Sequence, residues 1–96
     1  MHKRTKATSI PAKVKRIVYE RDGGCCIICG ASGYPEAHII RRSRGGLGIA
    51  ENIVTLCRVC HGHYDNNGIG TEAIMAYIKG KYPNWNSDKM TYRKGE

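Results

Sequence analysis

Phenylalanine is absent from this 96-residue chain, tryptophan occurs once and proline three times. Aromatic packing must therefore rest largely on six tyrosines, and so short a chain buries only a thin core. A core this lean needs a staple, either disulfides or a metal. Long hydrophobic runs are missing too: no stretch approaches the roughly 18 apolar residues of a membrane span. The chain therefore reads as soluble, with no membrane partner. Acidic residues are scarce, eight Asp plus Glu against sixteen Lys plus Arg, a formal charge of +8. Residues 2–16 contain no acid at all, while holding Lys3, Arg4, Lys6, Lys13, Lys15 and Arg16. Such an excess points to a polyanionic partner, because each neutralised phosphate releases condensed counterions. A merely solubilising tail is the plainer alternative.

Five cysteines are present. The count is odd, no apolar signal segment opens the chain, and four of the five fall into two Cys-x-x-Cys pairs. This pattern favours reduced thiolates on zinc in a cytoplasmic protein over a secreted disulfide framework. The pairs are Cys26/Cys29 and Cys57/Cys60, with 27 residues between them. Two residues between cysteines let both sulfurs reach one ion from a single turn, and two such turns complete a tetrahedron. A closed set of four thiolates leaves no position open to substrate, so this Zn²⁺ is expected to hold the fold. Cys25 competes with Cys26 on spacing alone; Cys26 is preferred because the two knuckles are then alike.

Residues 1–8 are basic and lack apolar periodicity, which predicts a flexible arm. Ser9 followed by Pro11 predicts a helix start, and Val14, Ile17 and Val18 give it an apolar core stripe ending near Asp22-Gly23-Gly24. A first short strand is expected within 34–40, then a loop rich in Arg and Gly to Gly48. Asn52 to Leu56 is β-branched and predicts a second strand. One helix should run from Cys57–Cys60 to about Gly68, and another from Thr71 to Tyr82, with Ile74, Tyr77 and Ile78 on one face. Residues 9–83 form the expected domain. Residues 84–96 read as a polar tail in which only Trp85 can anchor.

Between the cysteine pairs lies the order His38, Asn52, His61. The stretches AHIIRRSRGGLGIAENIVTLCRVCHGHYD and VYERDGGCCIICG, with the ending YPNWNSDKMTYRK, resemble the HNH endonuclease family, in particular small members encoded by bacteria and their phages. The resemblance covers roughly residues 14–94. It implies an α+β chain with a ββα-metal fold, two strands and a helix gripping one divalent cation beside the zinc knuckles, plus flanking helices. By the same motif, His38 is the general base, suited to the task by a pKa near neutrality. Asn52 would hold the ring or backbone of the base, and His61 would bind the cation. Arg42 would contact the scissile phosphate, with Arg41 and Arg44 tracking the DNA backbone and Lys13, Lys15 and Arg16 adding to the DNA-binding surface.

Spacing adds one reading of its own. His61 and Asp65 are four apart on a helix and share a face, so Asp65 is a second candidate ligand, whereas His63 lies about 200° around the axis and points elsewhere. Family members commonly carry Asp or His before the base, but this chain has Ala37. Either the cation keeps more waters, or Glu36, on the same strand face as His38, reaches in. Mg²⁺, Mn²⁺, Ni²⁺ and Zn²⁺ all suit such a donor set. The resemblance thus implies a metal-dependent endonuclease that nicks or cuts DNA with low intrinsic sequence specificity. A link to phage DNA packaging or processing, directed by a larger protein, is a further implication. The competing readings are a catalytically silent zinc-knuckle nucleic-acid binder and a redox or metal-storage protein.

Overall fold

The computed structural model describes residues 3–92; the ends of the expected arm and tail, residues 1–2 and 93–96, lie outside the described residues. Six helices and strands follow in order: α1 Lys3–Thr8, α2 Ala12–Arg21, β1 Tyr34–His38, β2 Ile53–Leu56, α3 Arg58–Asn67 and α4 Thr71–Lys81. The two strands pair antiparallel, Ala37 opposite Val54 and His38 opposite Ile53, with an irregularity between Tyr34 and Ala37. No described helix is long and apolar enough to cross a membrane.

β2 is buried along its whole length, which is why Ile53-Val54-Thr55-Leu56 needs no polar face. Its Val54 and Leu56 pack with Ala37, Ile39, Cys26, Tyr64, Ile74 and Ile78 in one cluster. Complete burial of an Ile or Leu side chain, as at Ile53, Leu56, Ile74 and Ile78, contributes roughly 1.5–3 kcal/mol each. α3 ends in glycine as its pattern predicts: Gly68 takes φ 68°, and the Gly68 and Ile69 N–H groups close onto the Tyr64 and His63 carbonyls.

The structure departs from the sequence reading in three places. Residues 3–8, expected to lack regular structure, form the short helix α1. A helix of six residues is not self-sustaining in water, and contacts farther along the chain, described below, hold it. The α2 stripe is only partly core: Val18 is fully buried, but Ile17 is 43% exposed. Ser9 does not cap that helix. Pro11 occupies the cap, while the Ser9 hydroxyl donates back to the Thr5 carbonyl at 2.6 Å. The tail, finally, is anchored by more than Trp85, whose indole N–H donates to the Glu51 carbonyl at 2.7 Å. Met90 is buried, and Leu47 N–H to the Met90 carbonyl and Tyr92 N–H to the Gly45 carbonyl, both 2.7 Å, tie the tail to the basic loop.

A polar hub at the end of α2 locks the helix to the sheet. The Asp22 carboxylate, fully buried and paired with the Arg21 guanidinium at 2.7 Å, accepts from the Thr55 N–H at 2.9 Å and the Tyr77 hydroxyl at 2.5 Å. Burial raises the Asp22 carboxyl, but these donors outweigh it and hold the group below its ordinary value. Arg21 in turn donates to the carbonyls of Ala50 and Ile53.

Candidate functional site

The two cysteine knuckles come together at the start of α3. Ligand atoms of Cys26, Cys29, Cys57 and Cys60 all lie within 4.8 Å of one another, and Cys29 Sγ is 3.6 Å from Cys57 Sγ. A tetrahedron with Zn–S near 2.3 Å has edges of about 3.8 Å, so the four sulfurs fit one ion. Cys25 stands outside the set, its side chain exposed. Gly30, at φ 82°, makes the first turn possible by letting its N–H reach back to the Cys26 carbonyl at 2.9 Å. The second turn is the cap of α3, where Cys57 Sγ accepts the Cys60 N–H. The thiols divide in their acidity. Burial raises Cys26, yet hydrogen bonds from the Cys29, Cys57 and Ile28 backbone bring it down to about 6. Burial and the three neighbouring sulfurs push Cys60 up to about 12. Four thiolates this close cannot all ionise without a cation among them.

A cleft of about 490 Å³ opens beside this staple, with His38, His61, Asp65, Glu36, Arg41 and Arg42 on its walls. β1 delivers Glu36 and His38 to it by strand alternation, while Ala37 between them is buried in the core. The departure at Ala37 therefore lies on the face turned away from the cleft, and Glu36 is the neighbouring acid that reaches it. Its carboxylate pairs there with Lys15 at 3.5 Å. α3 delivers His61 and Asp65, one turn apart, with Nε2 and Oδ2 separated by 3.1 Å. Cis ligands of an octahedral ion bound at about 2.1 Å are about 3.0 Å apart, so the pair fits the edge of such a shell. His63 is exposed and takes no part. Tyr64, buried on α3, sets the distance between helix and strand by donating its hydroxyl to the Ile39 carbonyl at 2.7 Å.

The His38 ring is held from one side. Its Nε2 lies 2.8 Å from the Thr8 carbonyl oxygen. A carbonyl only accepts, so Nε2 carries the hydrogen and the neutral ring keeps its lone pair on Nδ1. Burial holds the imidazole below its ordinary value of 6.5 and Arg42 acts in the same direction, against the Thr8 bond.

Asn52 does not line the cleft. It is fully buried, and its side chain grips the basic loop: Oδ1 accepts the Ile40 N–H at 2.8 Å, and Nδ2 donates to the carbonyls of Ile40 and Leu47 at 3.1 and 2.9 Å. The Asn52 carbonyl also accepts the Ile39 N–H. It thus fixes the backbone just beyond His38. The loop presents Arg41, whose guanidinium donates to the Tyr64 carbonyl at 3.2 Å, and Arg42, which rests on the Thr8 and Ser9 hydroxyls at 3.3–3.5 Å. Arg44 faces a neighbouring groove with Ile39, Ile40 and Tyr64. Among the α2 cations only Lys15 lines the cleft; Lys13 and Arg16 are exposed and do not line it.

Two strands and a helix thus carry His38 and the His61–Asp65 pair into one basic cleft, beside a four-cysteine cluster. A family model described as HNH endonuclease matches residues 26–72. Over that stretch the chain is similar to the HNH endonuclease family. That match supports a nuclease acting on DNA, and the chain is a small mixed α+β fold around a cysteine cluster able to hold a structural metal. Among curated proteins, none matches it. Sequence reasoning missed the outer supports of the cleft, Thr8 and Tyr64. Both act through backbone carbonyls, which no motif records.

Proposed function

We propose that this HNH protein is a metal-dependent endonuclease that hydrolyses DNA phosphodiester bonds, with His38 as general base. The single observation that carries the reading is the His38 imidazole, pinned at Nε2, in a cleft shared with two side chains spaced to hold one ion. A divalent cation on His61 and Asp65 would supply Lewis acidity at the phosphate and offset charge on the leaving oxygen. His38 Nδ1 accepts a proton from the attacking water as oxygen adds to phosphorus. One P–O ester bond breaks, and the leaving alkoxide is protonated from solvent. Arg42, exposed at the cleft edge, would exchange its hydroxyl contacts for a phosphate oxygen and stabilise charge developing there. Cys26, Cys29, Cys57 and Cys60 would hold structural Zn²⁺.

Binding through phosphates rather than base edges follows from the cations on the cleft, Lys15, Arg41 and Arg42, with Arg44 in the neighbouring groove and Lys13 and Arg16 exposed on α2. Phosphate contacts position a protein on DNA and carry no sequence information, so intrinsic specificity is low. The test is cleavage of supercoiled plasmid with Mg²⁺, Mn²⁺ or Ni²⁺ by wild type and His38→Ala. A general base contributes about 10²–10⁴-fold, so the variant should lose that much rate while still binding DNA. Equal rates would leave only a basic, zinc-stapled DNA binder.

A further inference from the structure

The contacts around His38 lead outside the matched region. Thr8 is 3% exposed although its helix neighbours Thr5 and Lys6 are exposed. Its carbonyl accepts from His38 Nε2 at 2.8 Å, and the preceding carbonyl, that of Ala7, accepts the Gly48 N–H at 3.0 Å. The two backbones touch at that point. A Cβ on Gly48 would stand 1.9 Å from the Ser9 oxygen and 2.6 Å from its carbonyl carbon, so only glycine admits this approach. Ser9 and Ile10 then continue into the cleft wall. A six-residue helix has too few internal hydrogen bonds to persist alone. Its docking on His38 and Gly48 is what orders it, and that docking in turn restrains the imidazole.

We infer that residues 5–9 are a positioning element of the nuclease site: the Thr8 main-chain carbonyl fixes the orientation and tautomer of His38, and Gly48 is the contact that lets it do so. This role rests on His38 being the base. Without the carbonyl the ring is free to rotate and to exchange the tautomer that leaves Nδ1 unprotonated. A catalytic group displaced by about 1 Å can cost on the order of 10²-fold in rate.

Two variants undock the segment from opposite sides without touching a cleft side chain. Gly48→Ala drives the Ser9 backbone away, and Ala7→Pro breaks α1, since proline in a helix body removes a hydrogen bond and clashes with the preceding turn. Both are studied as full chains loaded with zinc, with zinc content and thermal melting reporting the fold. In wild type, the His38 Nε2 proton should be protected from solvent exchange and visible by NMR, assigned by its loss in His38→Gln. In either variant that folds, the protected proton should disappear and kcat should fall at least tenfold, with a smaller change in KM. A variant that loses the proton yet keeps wild-type kcat overturns the positioning role alone, as does a wild type without that proton. A wild type inactive with every divalent cation overturns the nuclease reading and the positioning role with it.

Discussion

Replacing Asn52 by alanine removes the three side-chain hydrogen bonds that close the basic loop, at 2.8, 2.9 and 3.1 Å. Asn52 is fully buried, so water cannot take over on its side. Each bond contributes a net of about 1 kcal/mol, and the stranded Ile40 N–H and the Ile40 and Leu47 carbonyls add part of their desolvation cost. Together these give a loss of about 3–5 kcal/mol. A domain of this size has about 5–15 kcal/mol in total, so the variant should fold, but with a much lower urea midpoint when zinc-saturated. The Asn52 carbonyl keeps its bond to the Ile39 N–H, which confines the damage to the loop beyond the strand. There Arg41, Arg42 and Arg44 lose their fixed backbone, and cleavage should fall on the order of 10²-fold through misplacement. Asn52→Asp separates bonding from volume. It keeps an acceptor for Ile40 N–H but sets a second oxygen against two carbonyl oxygens, and should be no more stable than alanine. An Asn52→Ala unfolding free energy within about 1 kcal/mol of wild type would refute the reasoning. So would a loss of cleavage matched by the unfolded fraction alone.

Other expectations follow from the same structure. Cys26→Ser should lose bound zinc by atomic absorption while Cys25→Ser keeps it, because only Cys26 has its sulfur among the four; the reverse result would move the staple. Burial lowers the His38 pKa, and the proposed base acts as the neutral ring. Protonation therefore sets in later as pH falls, and the acid limb of kcat/KM should lie below 6.5 at fixed free metal; a limb at or above that value contradicts the burial argument. DNA binding should weaken with salt at about −0.9 in log K per log salt for each phosphate neutralised. Substituting Lys15, Arg41 or Arg42 singly should each lower that slope by about one, measured by fluorescence anisotropy. An unchanged slope removes that residue from the interface.

Much of the site is legible in the sequence because it is written in local spacing. The cysteine knuckles need two residues between thiols, and His61 and Asp65 need one helical turn, so both sets can be read without the fold. Alternation on β1 likewise sends Glu36 and His38 to one face and Ala37 to the other. What escapes such reading is long-range. Asp22 reads as a helix stop, but its carboxylate finds partners 33 and 55 residues away, at Thr55 and Tyr77. Residues 3–8 show no apolar stripe, and their helix is ordered by His38 and Gly48, far along the chain. Met90 and Tyr92 read as tail for the same reason: their partners are Leu47 and Gly45.

The central claim is that His61 and Asp65 hold a divalent ion facing His38, apart from the zinc on the four thiolates. Anomalous scattering from a crystal soaked in Mn²⁺ tests it directly. The account predicts a manganese peak bridging His61 Nε2 and Asp65 Oδ2, at about 2.1–2.2 Å from each. A cleft without such a peak at saturating Mn²⁺, with the only anomalous signal at the cysteine cluster, would contradict it.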